Sequence, residues 1–277
     1  MSAPTPSIAP DTIDLDHVAV AAESHADVWP RYAGELAGDW VSGGVAIGFA
    51  AGQVRYANGM KLEVLAPANV DQNDFLRRFL DRNGPGPHHL TYKVKDIRGA
   101  LKLAEAAGYR PVNAQLDDPG WKEAFLHPKD APGVVVQLAQ AAGDWSSDPP
   151  ADLPAPVAGA ARATLLHVAH AVASLDEGLR LFEGLLSGQR VAEGEGDGVR
   201  WVELGWKGPG RVRLIQPTSA TGSGAEVSAW LQGRPGRVLE LVFQTDSPHV
   251  VTGAQPVADG LVVPPENNLG TRIRLVP

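Results

Sequence analysis

Apolar and polar residues alternate with a period of two over residues 89–94, the pattern of a strand with one buried face, and 14–22 reads as another strand. Short apolar-rich runs predict further strands at 61–65, 123–126 and 134–138, and one over roughly 45–51. Between them the period lengthens. Residues 24–37 read as a helix with Gly38 at its end, and 96–107 as a second, with Asp96 placed to cap it and Gly108 to stop it. The order strand, helix, strand, strand, strand defines a βαβββ module. Four such modules fill the chain, giving an α+β fold of curved mixed sheets in which each pair of modules closes around one cavity.

The pattern also repeats on a larger scale. Leu15-Asp16-His17-Val18-Ala19 returns as Leu165-Leu166-His167-Val168-Ala169. Gly34, Leu36 and Gly38 return as Gly184, Leu186 and Gly188, Pro67 as Pro217, and Asp96 as Asp246, each pair 150 residues apart. One offset held over so long a stretch points to internal duplication. Between the copies lies a segment rich in proline, including Pro149, Pro150, Pro154 and Pro156, which can continue neither a helix nor a central strand. The expected domains are therefore 12–142 and 162–277, joined by a linker over 143–161.

Composition narrows the chemistry. Against 24 Lys and Arg stand 32 Asp and Glu, a formal charge of −8, which is a poor surface for a phosphate backbone and argues against nucleic acid. The chain has no cysteine, which removes disulfides, thiolate nucleophiles and thiolate-bound metals. Residues 1–11 carry neither a basic nor an apolar leader segment, and no apolar run is long enough to span a bilayer. The expectation is a cytoplasmic protein with no membrane partner.

Any metal must then be held by His, Asp, Glu or neutral donors. His17 opens the first module, and Glu63 lies on its last strand, 46 residues on. His89 opens the second module, and Gln137 lies on its last strand, 48 residues on. If the modules are related by pseudo-symmetry, these four side chains form equivalent pairs on one concave face, a donor set suited to a divalent cation with open positions. From spacing alone a hydrogen-bonded structural role accounts for each histidine as well. His88 is the rival to His89, but it faces the other side of a regular strand.

These residues sit in motifs that resemble the vicinal-oxygen-chelate superfamily: Leu15-Asp16-His17-Val18-Ala19-Val20, Glu63-Val64-Leu65-Ala66-Pro67, Gly86-Pro87-His88-His89-Leu90, Phe125-Leu126-His127-Pro128-Lys129 and Val134-Val135-Val136-Gln137-Leu138. Within it, residues 13–140 most resemble methylmalonyl-CoA epimerases, with glyoxalase I next. The resemblance implies two vicinal-oxygen-chelate domains of paired modules and one divalent metal ion (Zn, Ni, Co, Mn or Fe). It places the ligands at His17, Glu63, His89 and Gln137, with Gln and Glu exchanged relative to the epimerase pattern. That exchange matters. The epimerases shuttle a proton between a ligand Glu on the final strand and a second Glu on an earlier one. Here the final strand carries Gln137, which takes no proton, and the stretch 45–51 carries no carboxylate. A single-base route remains, in which Glu63 is both ligand and base, as the resemblance to glyoxalase implies.

In the second copy His167 is retained, but Arg213 stands at the position of Glu63, Leu239 at that of His89 and Arg274 at that of Gln137. A cation does not settle between two guanidinium groups, so this copy reads as metal-free. It either buttresses the first or holds a carboxylate or phosphate through Arg213 and Arg274. Lys93, on the His89 face, and Lys122, beside Trp121, are the remaining candidates for substrate contact. His127, before Pro128, reads as a turn residue.

The sequence thus predicts a metal-dependent isomerase or lyase acting next to a chelated carbonyl. Its partners would be a small-molecule substrate with two neighbouring oxygens, an acyl-CoA among those implied by resemblance, and a second copy of the chain in a homodimer. The alternatives are an Fe(II) ring-cleaving dioxygenase and a non-catalytic small-molecule binding or resistance protein.

Overall fold

The computed structural model describes residues 6–277, so the expectation of no leader over residues 1–11 falls in part outside the described residues. The chain forms two eight-stranded mixed sheets, as the α+β reading predicts. The first module consists of β1 (Ile13–Ala21), α1 (His25–Trp29), β2 (Asp39–Val45), β3 (Gly48–Arg55) and β4 (Lys61–Ala68). A connecting helix, α2 (Phe75–Asn83), leads to the second module: β5 (Gly86–Val94), α3 (Ile97–Ala106), β6 (Pro111–Gln115), β7 (Trp121–Leu126) and β8 (Val135–Ala141). These strands lie in the order β2-β3-β4-β1-β5-β8-β7-β6. After a segment without helix or strand come β9 (Thr164–Val172), α4 (Leu175–Leu179), β10 (Gln189–Gly196), β11 (Val199–Gly205), β12 (Arg211–Pro217) and α5 (Gly222–Leu231). β13 (Gly236–Gln244), β14 (Gln255–Val257), β15 (Gly260–Val263) and β16 (Ile273–Val276) complete the chain. The second sheet has the same order, β10-β11-β12-β9-β13-β16-β15-β14.

Three features depart from the sequence expectation. The helix expected over 24–37 is α-helical only to Trp29 and continues as a π turn over Pro30–Glu35, and its copy does the same over Arg180–Leu185. Gly38 and Gly188 explain this exit. The Gly38 amide donates to the Tyr32 carbonyl and the Gly188 amide to that of Phe182, and a Cβ at either glycine would lie 2.7 or 2.8 Å from that same oxygen. The stretch 45–51 is not one strand, because a turn at Ala46 and Ile47 joins β2 to β3. The fourth module has no α-helix after its first strand. The ten-residue connection 245–254 carries only a 3₁₀ turn at Pro248–Val250, so three modules are βαβββ and the last is all strand apart from that turn.

Register places the candidate residues. β1 runs parallel to β4 with Ala19 opposite Glu63, and β3 runs antiparallel to β4 with Gln53 opposite Glu63. In the second module β5 runs parallel to β8 with Thr91 opposite Gln137, and β7 sets Phe125 opposite Gln137. Glu63 and Gln137 are therefore equivalent by register, as their spacing predicts.

The packing of the connecting helix α2 was not legible in the sequence. Its buried Leu76 and Leu80 pack on Ala19, Ala21 and Leu65, joined by Phe49, Ala51, Phe75 and Phe79. Since Ala19 and Ala21 share strand parity with His17, and Leu65 with Glu63, α2 lies on the sheet face that bears those two groups. α5 repeats this in the second copy, with Val227 and Leu231 packed on Ala169, Ala171 and Leu239.

By contact density the described chain divides into two compact units. One gathers His89–Gly143 with His167–Leu239, the other His17–His88 with Asp144–Leu166 and Glu240–Pro277. In the first, Tyr92 meets Trp206 edge to face, and Gly133 and Gly236 approach so closely that a Cβ on Gly133 would lie 1.7 Å from the Gly236 carbonyl. In the second, Tyr56 packs edge to face on Phe243, and Asn268 donates to the Tyr32 hydroxyl and the Thr271 carbonyl.

His170 on β9 is fully buried, and its Nε2 lies 2.7 Å from the Pro132 carbonyl. That oxygen only accepts, so Nε2 carries the proton and the buried Nδ1, which has no partner, is bare. Burial pushes its pKa down from 6.5 to about 4, because protonating Nδ1 would leave a charge in apolar surroundings. A histidine held below its unfolded pKa stabilises the fold fully above pH 6.5 and loses that contribution as pH falls toward 4. Chemical unfolding at pH 7.5 and pH 5 is expected to differ by about 2 kcal/mol on this account. His170→Asn should remove this share and leave the similar one of the buried His88, and a slope unchanged in that variant would show that His170 does not contribute.

Candidate metal centre

His17 stands in the middle of β1, whose flanking Val18 and Ala19 are wholly buried, and Glu63 stands on the adjoining β4. Parallel pairing brings the His17 Nε2 to 3.4 Å from the Glu63 Oε2. Glu63 is held from its other side, since Gln53 Nε2 donates to Oε1 at 2.9 Å. His89 completes a group of three. One ligand atom each from His17, Glu63 and His89 lies within 4.8 Å of the others, and the two imidazoles are buried. Two neutral nitrogens and one carboxylate in so small a volume, largely closed to water, fit a borderline divalent cation. A cation there would balance the negative charge that Glu63 brings into the sheet.

Gln137 is buried on β8, but its amide faces protein groups. Thr91 Oγ1, fully buried, donates to Gln137 Oε1 at 2.5 Å, and Gln137 Nε2 donates to Glu123 Oε2 at 2.7 Å. Trp121 Nε1 donates to that same carboxylate oxygen at 2.8 Å. The ring of Phe125 meets that of His89 edge to face at 6.4 Å, so β7 contributes its Trp121, Glu123 and Phe125 side to the face that bears His89. Gln53, Thr91 and Glu123 were missed in the sequence reading. Alternation alone offered a signal for Glu123, because Ala124 and Leu126 are the apolar, fully buried face of that strand.

The other candidates are dispersed. Lys93 lies 3.3 Å from Asp16. Lys122, on the opposite side of β7 from Glu123, does not share its face. His88, expected on the opposite side of the strand, instead packs on the rings of Phe75 and Phe79 of α2, on the side of the sheet that bears Glu63, whose charge it feels. Burial pushes its pKa down to about 4, so it is neutral. His127 accepts from the Lys129 amide through Nδ1 and holds the turn before β8.

In the second copy the equivalent positions carry a different charge pair. Glu203 on β11 is the counterpart of Gln53, and Arg213 on β12 that of Glu63, again directly opposite in register. The carboxylate has moved one strand over. Arg213 places Nε and Nη2 on Glu203 Oε2 at 2.9 and 2.6 Å, its guanidinium 4.5 Å from the Trp201 ring, and His167 Nδ1 lies 3.7 Å from the same oxygen. A covalently attached cation thus takes the charge role. Arg274 is engaged as well, by the buried Glu240 at 2.8 Å and by Asp259 at 2.6 Å.

Comparison with known proteins gives the chain relatives by sequence and by fold. The sequence profile of the Glyoxalase/Bleomycin resistance protein/Dioxygenase superfamily matches residues 16–125. An ethylmalonyl-CoA/methylmalonyl-CoA epimerase of Cereibacter sphaeroides is 34% identical over 84 residues, 29% of this chain and 61% of that protein. The mitochondrial methylmalonyl-CoA epimerase of Mus musculus is 32% identical over 132 residues, 46% of this chain and 72% of its own length. Among solved structures, a mutant 4-hydroxymandelate synthase of Streptomyces coelicolor shares the fold over 95% of this chain and 92% of its own, with a TM-score of 0.64 at 14% identity.

Elemental analysis is expected to find about one divalent metal ion per chain, since only one of the two sheets carries the donor set. His89→Ala should lower that content severalfold. Equal content in the two proteins, or two ions per chain, would place the metal elsewhere.

Proposed function

This chain belongs to the glyoxalase/bleomycin resistance protein/dioxygenase superfamily, and from that membership we propose that it is a divalent-metal-dependent isomerase or lyase. It would remove a proton next to a carbonyl whose oxygen, with a neighbouring oxygen, chelates the cation. The observation that carries this reading is the convergence of His17, Glu63 and His89. The substrate class is an acyl thioester or a 2-oxo compound, the former supported by the thioester names of the two epimerase relatives. In this reading residues 12–142 form the working half and 162–277 its metal-free copy.

A bound divalent ion would act as a Lewis acid, acidifying the neighbouring C–H. The rest falls to the chain. His17 and His89 hold the cation through neutral nitrogens, which leaves Glu63 as the one anionic group of the cluster. Glu63 is also its one proton acceptor of carboxylate type, so proton removal from the substrate carbon is assigned to it. The Gln53 amide, which donates to Oε1, orients the carboxylate. Near the same face α2 supplies an apolar wall of Leu76, Leu80, Phe75 and Phe79, which excludes water and strengthens the electrostatics within. Lys93, which lies beside Asp16, is retained as a candidate for substrate contact.

Exchange of the α-proton with D2O, followed with methylmalonyl-CoA and with the hemithioacetal of glutathione and methylglyoxal, tests the reading. At least one is expected to incorporate deuterium only when metal is present. Glu63→Gln should cut the rate by about 10²–10⁴-fold while retaining part of the metal. Full exchange in that variant would falsify the role of Glu63. Oxygen uptake with Fe(II), in place of proton exchange, would move the assignment to a ring-cleaving dioxygenase. Tight ligand binding without metal or turnover would make the chain a binding protein.

A further inference from the structure

Gln137 holds the register position equivalent to Glu63, and by that equivalence it is the fourth candidate ligand of the cation. We infer instead that Gln137 stands outside the cation's shell, its amide held between Thr91 and Glu123, and that the protein supplies three ligands only. The inference rests on the cation site proposed above and deepens it.

Glu123 sets the orientation of the amide. A carboxylate only accepts hydrogen bonds, and Trp121 Nε1, which only donates, lies 2.8 Å from Oε2. The Gln137 atom 2.7 Å from that same oxygen must therefore be the amide nitrogen. A turned amide would set two acceptors against each other. With the nitrogen fixed on Glu123, the carbonyl oxygen is fixed on the opposite side, where the Thr91 hydroxyl donates to it at 2.5 Å. Thr91 is well placed to hold it, being fully buried on the adjoining β5, opposite Gln137 in register. Only the carbonyl oxygen of glutamine is a useful ligand to a divalent ion. Here it is directed at a hydroxyl, by a chain of donors that leaves the amide no freedom to turn.

The pseudo-symmetry is consequently broken at one residue. In the first module the strand opposite the ligand position carries an amide, Gln53, that orients a carboxylate ligand, Glu63. In the second module the ligand position itself carries the amide, and the carboxylate it holds is Glu123, on the neighbouring strand. Glu123 accepts both of these hydrogen bonds on Oε2, on the strand face that carries Phe125. A three-ligand shell leaves the remaining coordination positions for the two oxygens of the substrate and a water molecule.

Cobalt(II) titration of the full-length apo-protein, followed by chelator competition and by the visible d–d spectrum, tests this without any assay of turnover. Wild type is expected to bind one Co(II), and His89→Ala to bind it at least 100-fold more weakly. Gln137→Leu, Thr91→Val and Glu123→Gln are each expected to stay within about threefold of wild type with an unchanged spectrum, below the 10–100-fold cost of losing even an outer partner of a metal ligand. Thr91→Val removes one hydroxyl and guards against a folding failure in Gln137→Leu. A loss of tenfold or more, or an altered spectrum, in folded Gln137→Leu or Thr91→Val would return Gln137 to the shell and overturn the inference. The same result in Glu123→Gln would place Glu123 in the shell and also overturn it. Absence of Co(II) binding by wild type is a different outcome, since it defeats the cation reading itself and the inference with it.

Discussion

A carboxylate set between strands of a sheet must be given a positive charge or a set of donors, because burial without either costs several kcal/mol. Three of the carboxylates so placed show three different answers. Glu63 has an amide on one oxygen and an imidazole beside the other, and His89 close enough to share a cation with both. Glu203 has the guanidinium of Arg213. Glu123 has an indole and an amide. The first arrangement is the one that fits a metal, because its partners are neutral ligands and not cations.

The duplicated half is for this reason informative about the first. Exchanging amide and carboxylate between adjacent strands, and placing arginine opposite the carboxylate, balances its charge within the chain itself. Side chains directly opposite one another in antiparallel strands can exchange roles while the backbone register stays the same. The fold tolerates either solution, and function follows from which one is present. That is the general separation of fold from site, made visible within one chain.

How much was legible in advance differs from element to element. The helix α3, with Asp96 accepting from the Gly99 amide, was marked by local residue types at both ends. The strand bearing His89 was marked by alternation, because a period of two gathers apolar side chains on one face of a strand and scatters them around a helix, and those bearing His17, Glu63 and Gln137 by short apolar-rich runs. The turn that breaks 45–51 was hidden: Ala46 and Ile47 carry no turn chemistry, and Ile47 is apolar yet exposed. The packing of the helices α2 and α5 was hidden for another reason. Each makes sense only against the small residues Ala19 and Ala21, or Ala169 and Ala171, that leave room for it on a distant strand. Glu123 was passed over as one charged residue in a strand, since the indole that marks it as a held acceptor is two residues away and Gln137 is fourteen.

The sequence by itself determined the strands that bear His17, Glu63, His89 and Gln137, the duplication at an offset of 150 residues, and the donor types available to a cation, with cysteine absent. These are properties of residue identity and short-range order, which physical chemistry reads without distances. The tertiary structure decided which atoms of those donors face each other. It paired Glu63 with His17 and Gln53, turned the Gln137 amide toward Thr91 and Glu123, and set Arg213 on Glu203. Spacing along the chain fixes a residue's strand and side, but the atom it presents is set by its neighbours across strands, which sequence separation does not encode.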